Sequence, residues 1–271
     1  DLVRFQCDLE AQVAHERLKS LCDGDSFRFR TAAMPLVLER LPATLELSLI
    51  AALLSLVIGI PMGVYTGLYP DRILSKVFQA VSLIGIALPT FLIGILLILF
   101  FGVLLGWLPT FGRGEVVQLG WWSTGLLTSS GLKAVIMPAF TLGMFQLTLI
   151  MRLVRSEMME VLETEYIKYA WAKGLSPTRV WMVHAFKNTL LPVITVFGVQ
   201  IGIMFAFTLL TELVFQWPGM GFMFLEAVNR ADISLLIAYL VVVATIFTVV
   251  NTIVDILYGF INPTVRIAGT K

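Results

Sequence analysis

Apolar residues run along this chain in long, nearly uninterrupted stretches, and the polar residues gather between them. Five stretches reach the roughly 20 residues that a helix needs to cross a hydrocarbon core of about 30 Å. They run from about Thr44 to Tyr69, Val77 to Gly106, Ala134 to Met151, Leu190 to Leu213 and Ile233 to Phe260. Each is nearly free of charge inside, with Glu46 and Asp255 toward the ends of theirs. The strict alternation of a membrane barrel is absent. The pattern therefore predicts an all-α, polytopic bundle of membrane helices. Pro61, Pro89, Pro138 and Pro192 fall in four of the spans. Membrane helices tolerate proline because neighbours or water satisfy the freed carbonyls, so kinks are the first expectation and hinges the alternative. Small residues recur four apart in Gly59-Gly63-Gly67, Gly102-Gly106 and Gly198-Gly202. That spacing places them on one face, where helix backbones approach closely.

Composition agrees. Of 271 residues 58% are hydrophobic and 14% charged, against about half and a quarter in soluble domains; the mean hydropathy is +0.90. That balance excludes an ordinary soluble enzyme and a disordered chain. A net charge of +1 offers no field for nucleic acid. Cys7 and Cys22 are too few for a disulfide framework or a four-ligand zinc site, although one bridge between them is compatible with an external location. Lys and Arg set the orientation. Arg152, Arg155, Lys168, Lys173, Arg179, Lys187, Arg72, Lys76, Arg266 and Lys271 fall on one side, against Arg113, Lys133 and Arg230 on the other. The basic side belongs in the cytoplasm, with the C-terminus inside and residues 1–43 outside. Asp1 to Arg30 has no apolar signal-peptide core, so a first membrane helix is expected to precede Asp1. That makes six spans in the native protein, five of them here. The expected organisation is an extracytoplasmic segment 1–43, a transmembrane domain 44–264 that includes a cytoplasmic segment 155–190, and a cytoplasmic tail 265–271.

Between the spans, residues 8–21 read as a polar surface helix carrying a solvent-facing His15. Phe111 to Lys133 holds Trp121 and Trp122, which suit either a membrane interface or a roof over a pore. Glu160 to Lys173 predicts a cytoplasmic helix ended by Gly174, with Ser176-Pro177 opening the next element. Ile167, Ala170 and Trp171 share its apolar face, which suits the lipid surface or a partner protein. Glu212 to Gly221 predicts a rigid turn at Trp217-Pro218-Gly219. There Phe215 and Trp217 either cap the external mouth of a pore or anchor at the interface. Gln146, Gln200 and Asn251 are polar within spans, and line a pathway or bond helix to helix.

Catalytic signatures are missing. There is no G-x-x-x-x-G-K-[ST], H-E-x-x-H, C-x-x-C or G-x-S-x-G, and His15 and His184 are expected on opposite sides. Gly174-Leu175-Ser176 lies in a basic loop, away from any span. No metal site or bound cofactor is expected, and no carboxylate pair lies mid-membrane to drive a proton-coupled pump. A transporter of this kind takes its energy from another subunit.

The string EYIKYAWAKGLSPTRVWMVHAFKNTLLP, from Glu165 to Pro192, resembles the coupling segment of binding-protein-dependent ABC importer permeases of the peptide/nickel branch. Lys168 stands where that branch often has Arg, and Trp171 where it often has Arg or Lys. LPATLELSL (Leu41–Leu49), TELVFQWPGMG (Thr211–Gly221) and NTIVDILYGFINPTVR (Asn251–Arg266) are similar to three further motifs of the same branch, of the first-permease type. NRADISLLIAY at Asn229–Tyr239 departs from its pattern. The resemblance covers about residues 35–267. It implies the type I ABC importer permease fold in a bacterial inner membrane, and a non-catalytic subunit lining half of a path for di- or oligopeptides. It also implies a second permease, two ATPase subunits and an external binding protein as partners. Glu165, Tyr166, Ala170, Gly174, Leu191 and Pro192, with Ile167 and Trp171, are then the ATPase-coupling residues. Glu212, Phe215, Trp217, Pro218, Gly219 and Gly221 form the outer loop. Other cargo in the same machine (a nickel chelate, glutathione or an oligosaccharide) is the first alternative. A membrane-embedded enzyme and a passive channel are the alternatives of other classes.

Overall fold

The structure, a computed structural model, describes residues 33–261. The Cys7–Cys22 pair, the 8–21 segment with His15, and Arg266 and Lys271 of the tail lie outside the described residues. Helix α1 (Ala33–Leu68) leads by a short turn into α2 (Ile73–Ala87) and α3 (Thr90–Leu97), which continues as a π-helical stretch (Ile98–Leu104). A loop carries a hairpin of β1 (Val117–Leu119) and β2 (Trp122–Thr124), paired antiparallel with Val117 opposite Thr124. Helix α4 (Ser129–Leu162) and the short α5 (Glu165–Ala172) follow. A helical turn (Pro177–Arg179) and a π-helical stretch (Val180–Ala185) then lead into α6 (Phe186–Phe215), and α7 (Met220–Asn229) and α8 (Ile233–Ile261) close the bundle.

The described residues hold three single helices long and apolar enough to cross a membrane, and five spans if each of two bent pairs counts as one. Their number matches the five apolar stretches; their ends do not. Helix α1 begins at Ala33, inside the segment expected outside the membrane. Although Glu39 and Arg40 lower the local hydropathy, Ala33 and Val37 are buried against Met220, Met223, Leu235 and Ala238 of α7 and α8. Helix α4 runs on to Leu162, well past Met151. At 1.5 Å per residue, the 36 residues of α1 and 34 of α4 make rods of about 54 and 51 Å, longer than a bilayer core. The expected single helix over Glu160 to Lys173 is broken at Glu163-Thr164, because Thr164 is extended (φ −66°, ψ 148°). The hairpin was not anticipated; the signal for it is the alternating Val-Gln-Leu and Trp-Ser-Thr about Gly120-Trp121.

Helices α1 and α4 pack most extensively, and the Gly59-Gly63-Gly67 stripe explains why they can. A Cβ on Gly63 would lie 2.6 Å from Val154 Cβ, and one on Gly67 2.8 Å from Met158 Cβ. From the other side, a Cβ on Gly143 would lie 2.8 Å from the Ala51 carbonyl oxygen. Gly202 is closed off in the same way by Phe247 of α8, at 2.7 Å. Gly102-Gly106 is different: Gly106 has φ +62° with nothing near it, and turns the chain out of the π-helical stretch. That pair is not a helix-packing stripe.

The prolines also differ from one another. Helices α1 and α4 continue through Pro61 and Pro138, and α6 bends by 43° at Pro192. At Pro89 the second span breaks by 111°. Leu88 (φ −93°, ψ 136°) and Pro89 (φ −57°, ψ 137°) are both extended, as steric conflict before a proline favours. Mutual packing carries α1 and α4 through their prolines. Helix α2 buries only Ser75, Ser82 and Gly85, and meets α4 along that narrow strip alone, at Thr148 and Met144.

Candidate functional site

Three places gather the residues singled out by sequence. The first is a corner at the hairpin end of the bundle. Helix α7 starts at Met220 with Gly219 as its N-cap and no side-chain cap of its own, which leaves first-turn N–H groups without intrahelical partners. Two other helices supply the acceptors. Met220 N–H donates to Thr44 Oγ1 at 2.8 Å, and Phe222 N–H donates to Glu212 Oε2 at 2.9 Å. The Thr44 hydroxyl in turn donates to Glu212 Oε1 at 2.7 Å. The LPATLELSL and TELVFQWPGMG segments thus meet as one structure, a cap for α7 built by α1 and α6. The glycines follow from this. A Cβ on Gly219 would collide with the Glu212 carboxylate, and one on Gly221 would lie 2.8 Å from Leu209 Cα.

Trp217 is 1% exposed and packs with Ala43, Leu47, Ala134 and Met204. Its indole N–H donates to the Ala43 carbonyl at 3.0 Å. Phe215 is 2% exposed, and its carbonyl accepts from Gly112 N–H at 2.9 Å. Both side chains are core residues of this corner; the structure places neither at a lipid interface. The Pro218 carbonyl faces Arg40 Nη1 at 3.5 Å. Sequence reasoning missed a buried ion pair beside them. Arg113, from the loop before the hairpin, donates to Glu46 of α1 and to the Ser123 carbonyl and hydroxyl, with its guanidinium 5.9 Å from the centre of the Trp217 ring. The available signal was Glu46 itself: a carboxylate near the start of an apolar run needs a partner.

The second place is α5, at the opposite, basic end. Ile167 is 0% and Ala170 5% exposed, packed with Val154, Met158, Val180 and Ala185 of their own chain. This corrects the expectation that Ile167, Ala170 and Trp171 present one face to a partner. A helix this short gains its stability by burying its apolar stripe in its own bundle, so Ile167 and Ala170 turn inward. Tyr169, Trp171, Lys168 and Lys173 are exposed instead. Lys173 Nζ sits 4.6 Å over the Tyr169 ring, and Lys168 pairs with Glu165 at 2.7 Å in full solvent. The Tyr166 hydroxyl donates to the His184 carbonyl and accepts from Asn188 Nδ2 at 2.8 Å, tying α5 to the start of α6. Partial burial raises the Tyr166 pKa, with the Asn188 hydrogen bond acting in the other direction, so the phenol stays protonated as a donor. Gly174 has φ +73° and its N–H donates to the Trp171 carbonyl at 2.9 Å. It is the left-handed stop foreseen for the helix end. Pro192 lies inside α6, and the Leu191 side chain is outside the described residues.

The third place is a cavity of about 310 Å³ at the Pro89 break. Leu88, Pro89 and Thr90 line it together with Leu142, Gln146, Gln200 and Phe207. The structure brings Gln146 and Gln200 together here; Asn251, on α8, lies elsewhere.

Comparison with known proteins agrees with this geometry. Residues 59–267 match the family described as binding-protein-dependent transport system inner membrane component. The chain is 40% identical over 255 residues to the di/tripeptide transport system permease protein DppB of Pseudomonas aeruginosa (strain UCBPP-PA14), covering 90% of this chain and 76% of that one. It is 34% identical over 258 residues to the dipeptide transport system permease protein DppB of Escherichia coli (strain K12), covering 90% and 76%. It is 36% identical over 236 residues to the oligopeptide transport system permease protein AppB of Bacillus subtilis (strain 168), covering 87% and 73%. Among solved structures, the inward-facing MetNI methionine ABC transporter matches with a TM-score of 0.64 at 16% identity, over 84% of this chain and 96% of that one. The fold is therefore the all-α, type I importer permease bundle.

Proposed function

Because the chain belongs to the family of binding-protein-dependent transport system inner membrane components, we propose that this multi-pass inner-membrane protein is the permease subunit of an ATP-driven importer for di- and oligopeptides. The names of its relatives support peptide cargo. The observation that carries the mechanism is α5: its inward face is closed against its own bundle, while its outward face, with Tyr169 and Trp171, is exposed among the described residues. The basic end with the C-terminus faces the cytoplasm, where α5 meets an ATPase subunit. The hairpin end faces outward, toward a binding protein. A second permease supplies the other half of the path, and a second ATPase the other site of hydrolysis. Tyr166 and the packed Ile167 and Ala170 make α5 rigid with the ends of α4 and α6. A push on its outer face therefore moves both rods, and closure of the ATPases biases an inward or outward state.

The chain purified from its native membrane should bring a P-loop ATPase with it, and the complex in vesicles should take up dipeptides only with ATP. Single cysteines at Tyr169 and Trp171 should crosslink to that ATPase, and cysteines at Ile167 and Ala170 should not. Crosslinking through the inward pair instead would remove this role for the outer face. A second measurement concerns Gly174, where a β-branched residue costs about 1 kcal/mol or more at positive φ. Gly174→Val is expected to hydrolyse ATP normally while its uptake falls severalfold, with Gly174→Asn close to the parent. Full uptake by Gly174→Val would show that the α5 stop plays no part in coupling.

A further inference from the structure

We propose that the break between α2 and α3 is a carboxylate-binding site on the translocation path, with the N-terminus of α3 and the Gln146 amide as its donors. The proposal rests on the reading of the chain as a peptide permease, and names the chemistry by which the path would hold its cargo.

The break exposes two helix ends to one cavity. At the start of α3, Pro89 has no N–H, and the N–H groups of Thr90 and Phe91 have no acceptor one turn back, because the chain there is extended. All three residues line the cavity. A helix N-terminus carries about half a positive charge, and an apolar surrounding leaves that charge unscreened. The second, independent observation is Gln146 of α4. It is 3% exposed, lines the same cavity, and its Nε2 has no hydrogen-bond partner. A buried amide donor left unpaired costs free energy, and an oxygen ligand in the cavity would satisfy it. Thr90 adds a hydroxyl and Gln200 a second amide to the lining. On the other lip, Gly85 and Ile86 belong to the last turn of α2, whose final carbonyls are acceptors. Donors on one lip and acceptors on the other fit a short zwitterion. No Asp, Glu, Lys, Arg or His lines the cavity. A carboxylate here meets dipoles and no counter-ion, so it is held weakly enough to leave again. A volume of about 310 Å³ is at the small end of ligand pockets, about 300–1,000 Å³, and suits a di- or tripeptide segment.

The test uses the intact importer in vesicles with its own binding protein, and uptake of alanyl-alanine and alanyl-aspartate. Gln146→Leu removes the donor, and Gln146→Glu places a like charge at the site. At equal membrane content, Gln146→Leu is expected to lower uptake about threefold. Gln146→Glu should fall at least tenfold below that at neutral pH, and should recover in acid, where its carboxyl regains a proton and donates. This ranking with alanyl-alanine assigns the terminal carboxylate; the ranking with alanyl-aspartate alone assigns an acidic side chain. Equal uptake by the two variants with both peptides overturns the site. Thr90→Pro is the second variant. Pro89 at ψ 137° already accepts a following proline, and proline is tolerated at a first helical position, so two donors, the Thr90 N–H and hydroxyl, are lost while the helix survives. Severalfold weaker uptake is expected for whichever peptide shows the Gln146 ranking, and an unchanged rate for that peptide also overturns the site. If the parent complex imports neither dipeptide, the peptide reading itself fails. If it imports both and the variants do not differ, only the carboxylate site fails.

Discussion

Glu212→Ala is expected to be among the most destabilising single substitutions in this chain, at about 3–5 kcal/mol. The substitution leaves Phe222 N–H and the Thr44 hydroxyl without their acceptor, both buried or partly buried, and each such orphan costs about 1–3 kcal/mol. It also opens a cavity where α1, α6 and α7 meet. Glu212→Gln keeps an oxygen that still accepts, and should lose less than half as much. The measurement is the midpoint of thermal unfolding of the detergent-solubilised protein, with membrane content as a second reading. An alanine variant as stable as the parent would mean that α7 is held by its apolar face alone, through Met220, Met223 and Ala227. The same geometry predicts that Gly219→Ala is harmful, because its Cβ would strike the Glu212 carboxylate.

The second large effect concerns Arg113 and Glu46, which are 6% and 5% exposed as a pair. Arg113→Met leaves the Glu46 carboxylate buried without its charge partner, a change that costs about 3–5 kcal/mol in comparable sites. The hairpin should also come loose, since Arg113 bonds both the backbone and the side chain of Ser123. The double variant Arg113→Met with Glu46→Leu removes both charges. It should recover most of the loss, because apolar replacements of buried ion pairs are often neutral or better. A double-mutant cycle on unfolding, with proteolysis of the 107–128 loop as a local probe, reads both terms. Salt should matter little, since buried pairs are poorly screened. If Arg113→Met alone were neutral, the pair would be decoration on a loop held by other contacts.

Much of the architecture was legible from local pattern. The hydrophobic length scale of a bilayer is imposed on each span separately, so five apolar stretches announce five crossings without any knowledge of neighbours. The four-residue spacing of Gly59, Gly63 and Gly67 likewise belongs to a single helix, and needed only some neighbour to approach. Gly174 was readable because a helix stop is a matter of one residue's φ. The failures share a cause too. Hydropathy does not see that Ala33 and Val37 have α7 and α8 to bury against, so the start of α1 was drawn too late. Periodicity grouped Ile167, Ala170 and Trp171 on one face, and could not say whether that face met a partner or its own bundle.

What sequence by itself determined, then, is the class of molecule, the apolar stretches, where the basic residues cluster and the places where backbones come close, all properties of windows of about 20 residues or fewer. Tertiary structure alone decided who meets whom. Thr44 and Glu212 are separated by 168 positions, and Glu46 and Arg113 by 67; no local rule pairs them. Tertiary structure also decided that Pro89 breaks its helix while Pro61 and Pro138 do not. A proline destabilises every helix interior by about 3 kcal/mol, and only the packing on either side settles whether the helix holds. Helices α1 and α4 hold because they are packed along each other. Between α2 and α3 that support is a narrow strip at Ser82 and Gly85, and the chain opens there into the cavity walled by Gln146 and Gln200.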